Sequence, residues 1–92
     1  MEPVTMLQDK VVIVTGIGPG LGRTIASEAA RMGADLVMVS RSGTIMEEVA
    51  QEIAGHGRRA VQVRADITSA EDCATVAAQA VEAFGRIDGL VN

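Results

Sequence analysis

The chain has 92 residues, with eight basic and twelve acidic side chains and a net charge of −4. This acidic balance, without a basic patch, argues against nucleic-acid partners and against binding to anionic membranes. A single cysteine excludes an internal disulfide, residues 1–9 contain no apolar run of signal-peptide length, and no stretch is long enough to span a membrane. We therefore expect a cytoplasmic protein.

Short apolar runs alternate with helical patterns along the chain. Residues 10–15 and 35–40 are continuous apolar runs rich in β-branched side chains, as is typical of strands buried on both faces. Residues 60–64 predict a third strand, and residues 89–92 begin a fourth. A core of Val, Ile, Leu, Ala and Met, with no Trp or Tyr, suits strands of this kind covered by helices.

Three helices are predicted between these strands. The first runs from Leu21 to Met32, with Gly33 as its C′ residue. Thr44 and Thr68 are predicted to cap the second and third helices, because each has a Glu three residues later.

The third helix has the most regular apolar pattern. Its apolar stripe consists of Cys73, Val76, Ala77, Ala80, Val81 and Phe84. We expect this stripe to pack on the sheet, with Cys73 as an unreactive part of the core.

The resulting order is β-α-β-α-β-α-β. Strands joined by helical crossovers pair in parallel, so the fold class is α/β with a doubly wound parallel sheet. The fourth strand would be an apolar edge with nothing to cover it. We therefore expect residues 1–92 to be the amino-terminal part of a single domain, incomplete at its carboxyl end.

A glycine-rich turn follows the first strand and contains Gly16, Gly18, Gly20 and Gly22. Such a turn directs backbone N–H groups and the positive end of the helix dipole at an anion, so phosphate or pyrophosphate is the natural ligand. Gly16 suits a tight turn, Gly20 a close approach of backbone to ligand, and Gly22 close packing of the helix.

Three glycine motifs fit this turn poorly. The pattern GxGxxG fails because Leu21 or Arg23 stands at the third glycine position, and GxxxxGK[ST] lacks its Lys and hydroxyl residue. A methyltransferase GxGxG turn is matched in its glycines, but Val14 stands where that family has an acid.

The turn matches the TGxxxGxG motif of short-chain dehydrogenases/reductases at Thr15, Gly16, Gly20 and Gly22. Asp66, within Arg-Ala-Asp-Ile-Thr, resembles the family's segment after the third strand, and Asn92 resembles the first residue of its Asn-Asn-Ala-Gly. These motifs occur in the family's order between about residue 10 and residue 92. The chain thus resembles the amino-terminal Rossmann portion of this family.

The resemblance implies an NAD(P)-dependent oxidoreductase that transfers hydride between nicotinamide and a small alcohol or carbonyl compound, and that forms homodimers or homotetramers when complete. The family's catalytic Ser, Tyr and Lys lie beyond its Asn-Asn-Ala-Gly strand. This chain has no Tyr, and its one lysine, Lys10, begins the first strand. We therefore assign no catalytic residue and expect the 92-residue chain alone to be inactive.

The same resemblance implies the cofactor-binding residues. They are Thr15, Gly16, Gly18, Gly20, Leu21, Gly22, Ser40, Arg41, Asp66, Ile67 and Asn92. The segment 15–22 would hold the pyrophosphate, and Asp66 would bind the adenine amino group. Pro19 stands where the family more often has a small hydroxylated residue, so the turn would depend on backbone donors. No metal-ligand spacing occurs in the sequence, so we expect no metal.

The end of the second strand indicates which cofactor is preferred. An acid there would bind the ribose hydroxyls of NAD, but this chain has Ser40 followed by Arg41. No carboxylate repels a 2′-phosphate, and Arg41 can form paired hydrogen bonds with one, so NADP is favoured over NAD. The alternatives are that Arg41 lies in solvent and that Asp66 is only a turn residue.

Two other functions stay open at this point. A non-catalytic dinucleotide-binding module or sensor would have the same motifs. The methyltransferase is disfavoured by Val14 and by the missing acid at Ser40. His56, between two glycines, is interpreted as an exposed loop residue rather than a base or ligand.

Overall fold

A computed structural model of the chain describes residues 6–92. The prediction about residues 1–9 therefore falls partly outside the described residues, at positions 1–5. The elements are β1 (Val11–Val14), α1 (Leu21–Arg31), β2 (Asp35–Ser40), α2 (Gly43–Gly55), β3 (Ala60–Arg64), α3 (Ala70–Phe84) and β4 (Gly89–Val91). The predicted alternation of strands and helices is confirmed.

The four strands form one parallel sheet in the order β3-β2-β1-β4. Val12 of β1 is in register with Leu36 of β2 on one side and with Gly89 of β4 on the other. Strands β1, β2 and β3 lie side by side in chain order, and β4 then pairs with the other edge of β1. In doubly wound sheets, ligands bind outside the carboxyl ends of the strands at such a reversal, which here lies between β1 and β4.

Helices cover both faces of the sheet. Val12 and Val14 of β1 point into the core under α1 and α2, whereas Val11 and Ile13 point into the core under α3. The side chains of β2 alternate in the same way, and Leu36 faces the core under α1 and α2. The continuous apolar runs predicted these doubly buried strands because each face of the sheet must be covered.

The two ends of α1 follow the sequence pattern. The helix begins at Leu21, Met32 is its C-cap, and Gly33 follows with a φ of +103°. This left-handed φ fits the predicted C′ position.

The predicted cap of α3 is wrong by one residue. The N-cap is Ser69, whose hydroxyl oxygen accepts a hydrogen bond from the backbone N–H of Asp72 at 3.2 Å. The hydroxyl of Thr68 instead donates to Oδ1 of Asp66 at 2.6 Å, so it belongs to the preceding turn.

The predicted cap of α2 is also wrong. The N-cap is Ser42, and Thr44 lies inside the first turn of the helix. The carboxylate of Glu47 does not reach back to the helix start, because it accepts a hydrogen bond from Nε2 of Gln62 on β3 at 2.8 Å.

The apolar stripe of α3 packs on the sheet only in part. Val76 and Ala80 are buried and Phe84 is half-buried, but Val81 and Cys73 are exposed. The expectation that Cys73 is part of the core is wrong. The reason is that α3 contacts β1, β2 and β3, which leaves its flank on the β4 side uncovered. The thiol of Cys73 lies on that flank and donates to the carbonyl of Ile67 at 3.3 Å.

A buried carboxylate fixes the amino end of β2. Asp35 is 3% exposed, and its oxygens accept hydrogen bonds from the backbone N–H and Nη2 of Arg59 at 2.9 and 3.0 Å. Nε of Arg58 lies 3.2 Å from Oδ1, although it is not aligned for a hydrogen bond. Burial alone would raise the pKa of Asp35, but the hydrogen bonds from Arg59 and the charges of both arginines outweigh it and lower this pKa.

We predict that Asp35→Asn destabilises the fold by about 2 kcal/mol at neutral pH, because it removes the charge that balances Arg58 and Arg59. The pKa of Asp35 is lowered by folding, so its stabilising contribution is present above the unfolded-state pKa and is lost as the pH falls through the folded-state pKa. The free energies of unfolding of the wild type and of Asp35→Asn, measured with urea, should therefore converge as the pH falls.

Asp9→Asn is the matched control, because Asp9 is an exposed carboxylate that pairs with Arg58 at 3.3 Å. This variant should cost less than about 1 kcal/mol. A difference in free energy of unfolding between wild type and Asp35→Asn that persists unchanged at acid pH would contradict the assigned role of the Asp35 charge.

Candidate dinucleotide-binding site

Thr15 joins the carboxyl ends of β1 and β4. Its backbone N–H donates to the carbonyl of Val91 at 2.9 Å, and its hydroxyl donates to Oδ1 of Asn92 at 2.6 Å. These bonds place Thr15 and Asn92 together at the point where the strand order reverses.

The glycine turn crosses from β1 toward β2. Gly16 adopts a φ of +68°, which an L side chain rarely accepts, and this bend starts the turn. The next residue, Ile17, is buried, and its N–H donates to the carbonyl of Val39 at 3.2 Å. Ile17 was not among the predicted site residues; the signal in the sequence is a large aliphatic side chain between two glycines of the turn.

Gly22 is where α1 touches the turn most closely. A Cβ at Gly22 would lie 2.7 Å from the carbonyl oxygen of Gly16 and 3.2 Å from the Cα of Ile17. By contrast, Cβ atoms at Gly18 or Gly20 would meet no heavy atom within 4 Å. Gly22 therefore allows the helix to pack on the turn, while the other two glycines border open space.

The amino end of α1 carries no side-chain cap. Its N-cap is Gly20, which has no side chain to accept a hydrogen bond from the first turn, and Leu21 is exposed. The first N–H groups of a helix have no partner within the helix, so they are free to bind an anion.

The one cation in this first turn is already paired. Arg23 donates to Glu52 of α2 through Nε at 2.8 Å and also through Nη2, and its Nη1 lies 3.5 Å from Glu48. Arg23 thus ties α1 to α2, and an anion at the turn would be bound by backbone donors.

Of the cavities at the carboxyl ends of the strands, two share both Gly16 and Ile67. The cavity beside β2 has a volume of about 370 Å³ and is lined by Gly16, Ile17, Val39, Ser40, Arg41, Ala65 and Ile67. The cavity beside β4 has a volume of about 250 Å³ and is lined by Val14, Thr15, Gly16, Leu21, Gly22, Ile25, Ile67, Val91 and Asn92. Together they form a path across the ends of the strands that could accept an elongated ligand.

Most of the predicted site residues line these cavities, but Gly18, Gly20 and Asp66 line neither. Asp66 lies next to the cavity beside β2, because Arg41 lines that cavity and its Nη2 is 3.2 Å from Oδ1 of Asp66. The predicted residues are therefore gathered at one edge of the sheet.

Asp66 is held in place by the turn that follows β3. Its Oδ1 accepts hydrogen bonds from the hydroxyl and the backbone N–H of Thr68, at 2.6 and 2.9 Å. These two bonds, together with the charge of Arg41, lower the pKa of Asp66, so the carboxylate is ionised at neutral pH. Asp66 is therefore a turn residue, and its carboxylate also forms an ion pair with Arg41.

Arg64 is a second arginine at the carboxyl ends of β2 and β3, and it was not among the predicted site residues. It pairs in register with Ser40, and its Nε and Nη2 donate to the backbone carbonyl of Arg41 at 3.3 and 3.2 Å. Arg64 therefore braces the backbone that carries Arg41. The signal in the sequence is that parallel strands ending in Ser40 and Arg64 bring both residues to one edge.

Several other sequence predictions concern features away from this edge. His56 is an exposed C-cap residue of α2. Within residues 6–92, no three His, Cys, Asp or Glu side chains are placed to hold a metal ion. None of the helices in that part of the chain is long and apolar enough to cross a membrane.

The chain belongs to the short-chain dehydrogenase family, whose model matches residues 10–92. It is 46% identical over 86 residues to an uncharacterized oxidoreductase of Mycobacterium tuberculosis, covering 94% of this chain and 33% of the relative. It is 44% identical over 84 residues to 11-beta-hydroxysteroid dehydrogenase A of Sesamum indicum, covering 90% and 24%.

A solved structure shows the same fold. The apo form of glucose dehydrogenase of Caenorhabditis elegans superposes with a TM-score of 0.88 at 33% identity, covering 96% of this chain and 38% of that protein. The fold is thus a Rossmann fold. The chain spans about a quarter to two fifths of the length of these relatives.

We predict that Gly22→Ala destabilises the fold by about 1–3 kcal/mol, because its new methyl group would press on the carbonyl of Gly16. Gly18→Ala is the matched control, since it adds the same methyl group into open space and should change stability by less than about 1 kcal/mol. Urea unfolding measures both. Equal stabilities of the two variants would contradict the close contact at Gly22.

Proposed function

We propose that this chain binds NADP, or NAD with lower preference, across the carboxyl ends of β1, β2 and β3. It would form the cofactor-binding part of an oxidoreductase that transfers hydride between nicotinamide and an alcohol or carbonyl compound. The observation that carries this proposal is one continuous arrangement: an uncapped helix start, an adjacent cavity, and Arg41 at the far end of that cavity. The bound nicotinamide would supply the hydride chemistry.

The centre of the cofactor fits the glycine turn. A pyrophosphate needs several donors that converge on a small volume, and the first N–H groups of α1 supply them together with the helix dipole. The absence of side chains at Gly18 and Gly20 leaves the space in which the phosphates would approach the backbone. This arrangement supports the proposed role of residues 15–22.

The adenosine end fits the cavity beside β2. Its walls include the apolar side chains of Ile17, Val39 and Ile67, which suit a flat, largely apolar base. Asp66 stands beside Arg41 at the rim as a fixed carboxylate, which suits an adenine amino group. Ile67 also lines the cavity beside β4, so it would contact the cofactor on both sides of the turn.

The preference for NADP rests on the end of β2. Ser40 and Arg41 line the β2 cavity, and no acid occupies the strand end that would bind the ribose hydroxyls of NAD. The guanidinium of Arg41 can form charge-assisted hydrogen bonds with a 2′-phosphate. Arg64 would contribute by fixing the backbone of Arg41.

The chemistry itself would need residues that these 92 lack. The chain contains no Tyr, and its only lysine, Lys10, precedes β1 at the amino end of the sheet. We propose that residues 1–92 are the amino-terminal part of a single domain, that the catalytic Ser, Tyr and Lys follow it, and that the 92 residues alone are inactive. The complete protein would be a cytoplasmic homodimer or homotetramer acting on a small molecule.

The same site would equally serve a non-catalytic sensor of the cofactor, and the lack of Tyr in these residues keeps that function as a second candidate. The family match removes the methyltransferase alternative. The named relatives act on different substrates, a steroid and glucose, so they indicate the reaction class and leave the substrate open.

The length of the native product separates the enzyme from the sensor. We expect intact mass spectrometry of the protein from its own cells to give about 25–30 kDa, the size of a complete α/β domain of this class. The sequence of the product should continue into a Tyr-x-x-x-Lys motif. A product that ends at Asn92 would exclude hydride transfer and leave binding as its function.

We predict that Arg41→Ala weakens NADP binding about tenfold or more, because a charged hydrogen-bonded partner of the 2′-phosphate is lost. NAD has no 2′-phosphate, so its dissociation constant should change less than about threefold. Isothermal titration calorimetry of both cofactors checks this.

Arg31→Ala is the matched control, since Arg31 is an exposed arginine in the last turn of α1 that pairs with Glu28 at 2.8 Å. It should leave both dissociation constants unchanged. An equal loss of NADP and NAD affinity in Arg41→Ala would contradict the role assigned to this residue.

A further inference from the structure

An ion pair lies at the rim of the β2 cavity and joins the ends of two strands. Arg41 follows β2 and Asp66 follows β3, and their side chains meet with Nη2 of Arg41 3.2 Å from Oδ1 of Asp66. Arg41 itself lines the cavity. The residue proposed to bind a 2′-phosphate is thus already bound to an anion of the protein.

The two partners differ in how firmly they are held. Oδ1 of Asp66 is fixed by both hydrogen bonds from Thr68, and the backbone N–H of Asp66 is fixed by Oδ2 of Asp72 at 2.8 Å. The side chain of Arg41 is 74% exposed, and Asp66 is its one ion-pair partner among residues 6–92. Arg41 is therefore the partner that can turn toward a ligand.

Arg64 offers no substitute cation for Asp66. Its Nε and Nη2 are directed at the carbonyl of Arg41, and the structure pairs it with no carboxylate within residues 6–92. Among residues 6–92, Arg41 is therefore the one cation that forms an ion pair with Asp66.

We propose that Asp66 is a selectivity-determining residue that competes with the 2′-phosphate of NADP for Arg41 and so reduces the preference for NADP over NAD. This inference rests on the proposed function. NAD carries no 2′-phosphate, so it binds with the Arg41–Asp66 pair intact. NADP must draw the guanidinium away from Asp66 or share it with a second anion, and either arrangement weakens the attraction of Arg41 for the phosphate.

The test compares the two cofactors in Asp66→Asn of the native-length protein. Asparagine keeps an oxygen that can accept from Thr68 and from the adenine amino group, while the negative charge is removed. Loss of adenine affinity affects both cofactors equally and cancels in the ratio of the NAD to the NADP dissociation constant. We expect this ratio to rise about two- to fivefold, the range that an exposed ion pair supports.

A double-mutant cycle assigns the effect to the ion pair. In the Arg41→Ala background, Asp66→Asn should leave the ratio unchanged, because the competed cation is absent. Asp9→Asn is the charge-matched control at the opposite end of the sheet, where Asp9 pairs with Arg58, and it should also leave the ratio unchanged. Asp66→Ser, which keeps an oxygen acceptor for Thr68, serves as the second variant if Asp66→Asn does not fold.

The outcomes separate this inference from the function on which it rests. A wild-type protein that binds neither cofactor would overturn the proposed function itself. A wild type that binds both, with a ratio that falls or stays constant in Asp66→Asn, would overturn only the competition. A rise that persists in the Arg41→Ala background would also overturn it, because direct repulsion between Asp66 and the phosphate would then be the cause.

Discussion

Strand β1 is hydrogen-bonded to β2 on one edge and to β4 on the other, and its four residues are buried alternately under two helix layers. A shift of one residue in register would exchange the two faces and disrupt both cores, so the strand has one position. The turn that follows it therefore starts from a fixed point. The bend at Gly16, the contact at Gly22 and the bond between Thr15 and Asn92 all depend on that point.

The candidate site divides into a part built from backbone and a part built from side chains. The glycine turn and the start of α1 present N–H groups whose positions the fold sets, and these suit the pyrophosphate common to both cofactors. The proposed adenosine end would depend on Arg41, Arg64 and Asp66, which come from the ends of two neighbouring strands. The proposed recognition that both cofactors share would thus be rigid, whereas the proposed discrimination between them would depend on Arg41, whose side chain is 74% exposed.

Sequence patterns predicted the sheet and its helices because doubly buried strands need continuous β-branched runs, as β1 and β2 show. They misplaced both caps because a Ser and a Thr stand one or two residues apart at each helix start. The Thr68 hydroxyl donates to Asp66 instead of capping α3, and Glu47 accepts from Gln62 instead of completing a capping box in α2. They predicted Cys73 as core because helical spacing gives the apolar face but not the width of sheet that covers it. The contact between Arg64 and the backbone of Arg41 joins residues 23 positions apart. The sequence places both residues near the ends of neighbouring strands, and the register of β2 and β3 shows that they meet.

The buried carboxylate of Asp35 lies at the amino end of β2, and the residues proposed to bind the cofactor lie at the opposite, carboxyl end of the sheet. The six residues of a parallel strand separate these ends by about 20 Å, beyond the distance at which substitutions usually interact. Changes at the two ends should therefore combine additively. Substitutions that change cofactor preference at the carboxyl end of the sheet should therefore leave the stabilising contribution of Asp35 intact. Substitutions that strengthen the interactions of Asp35 should likewise leave cofactor affinity unchanged.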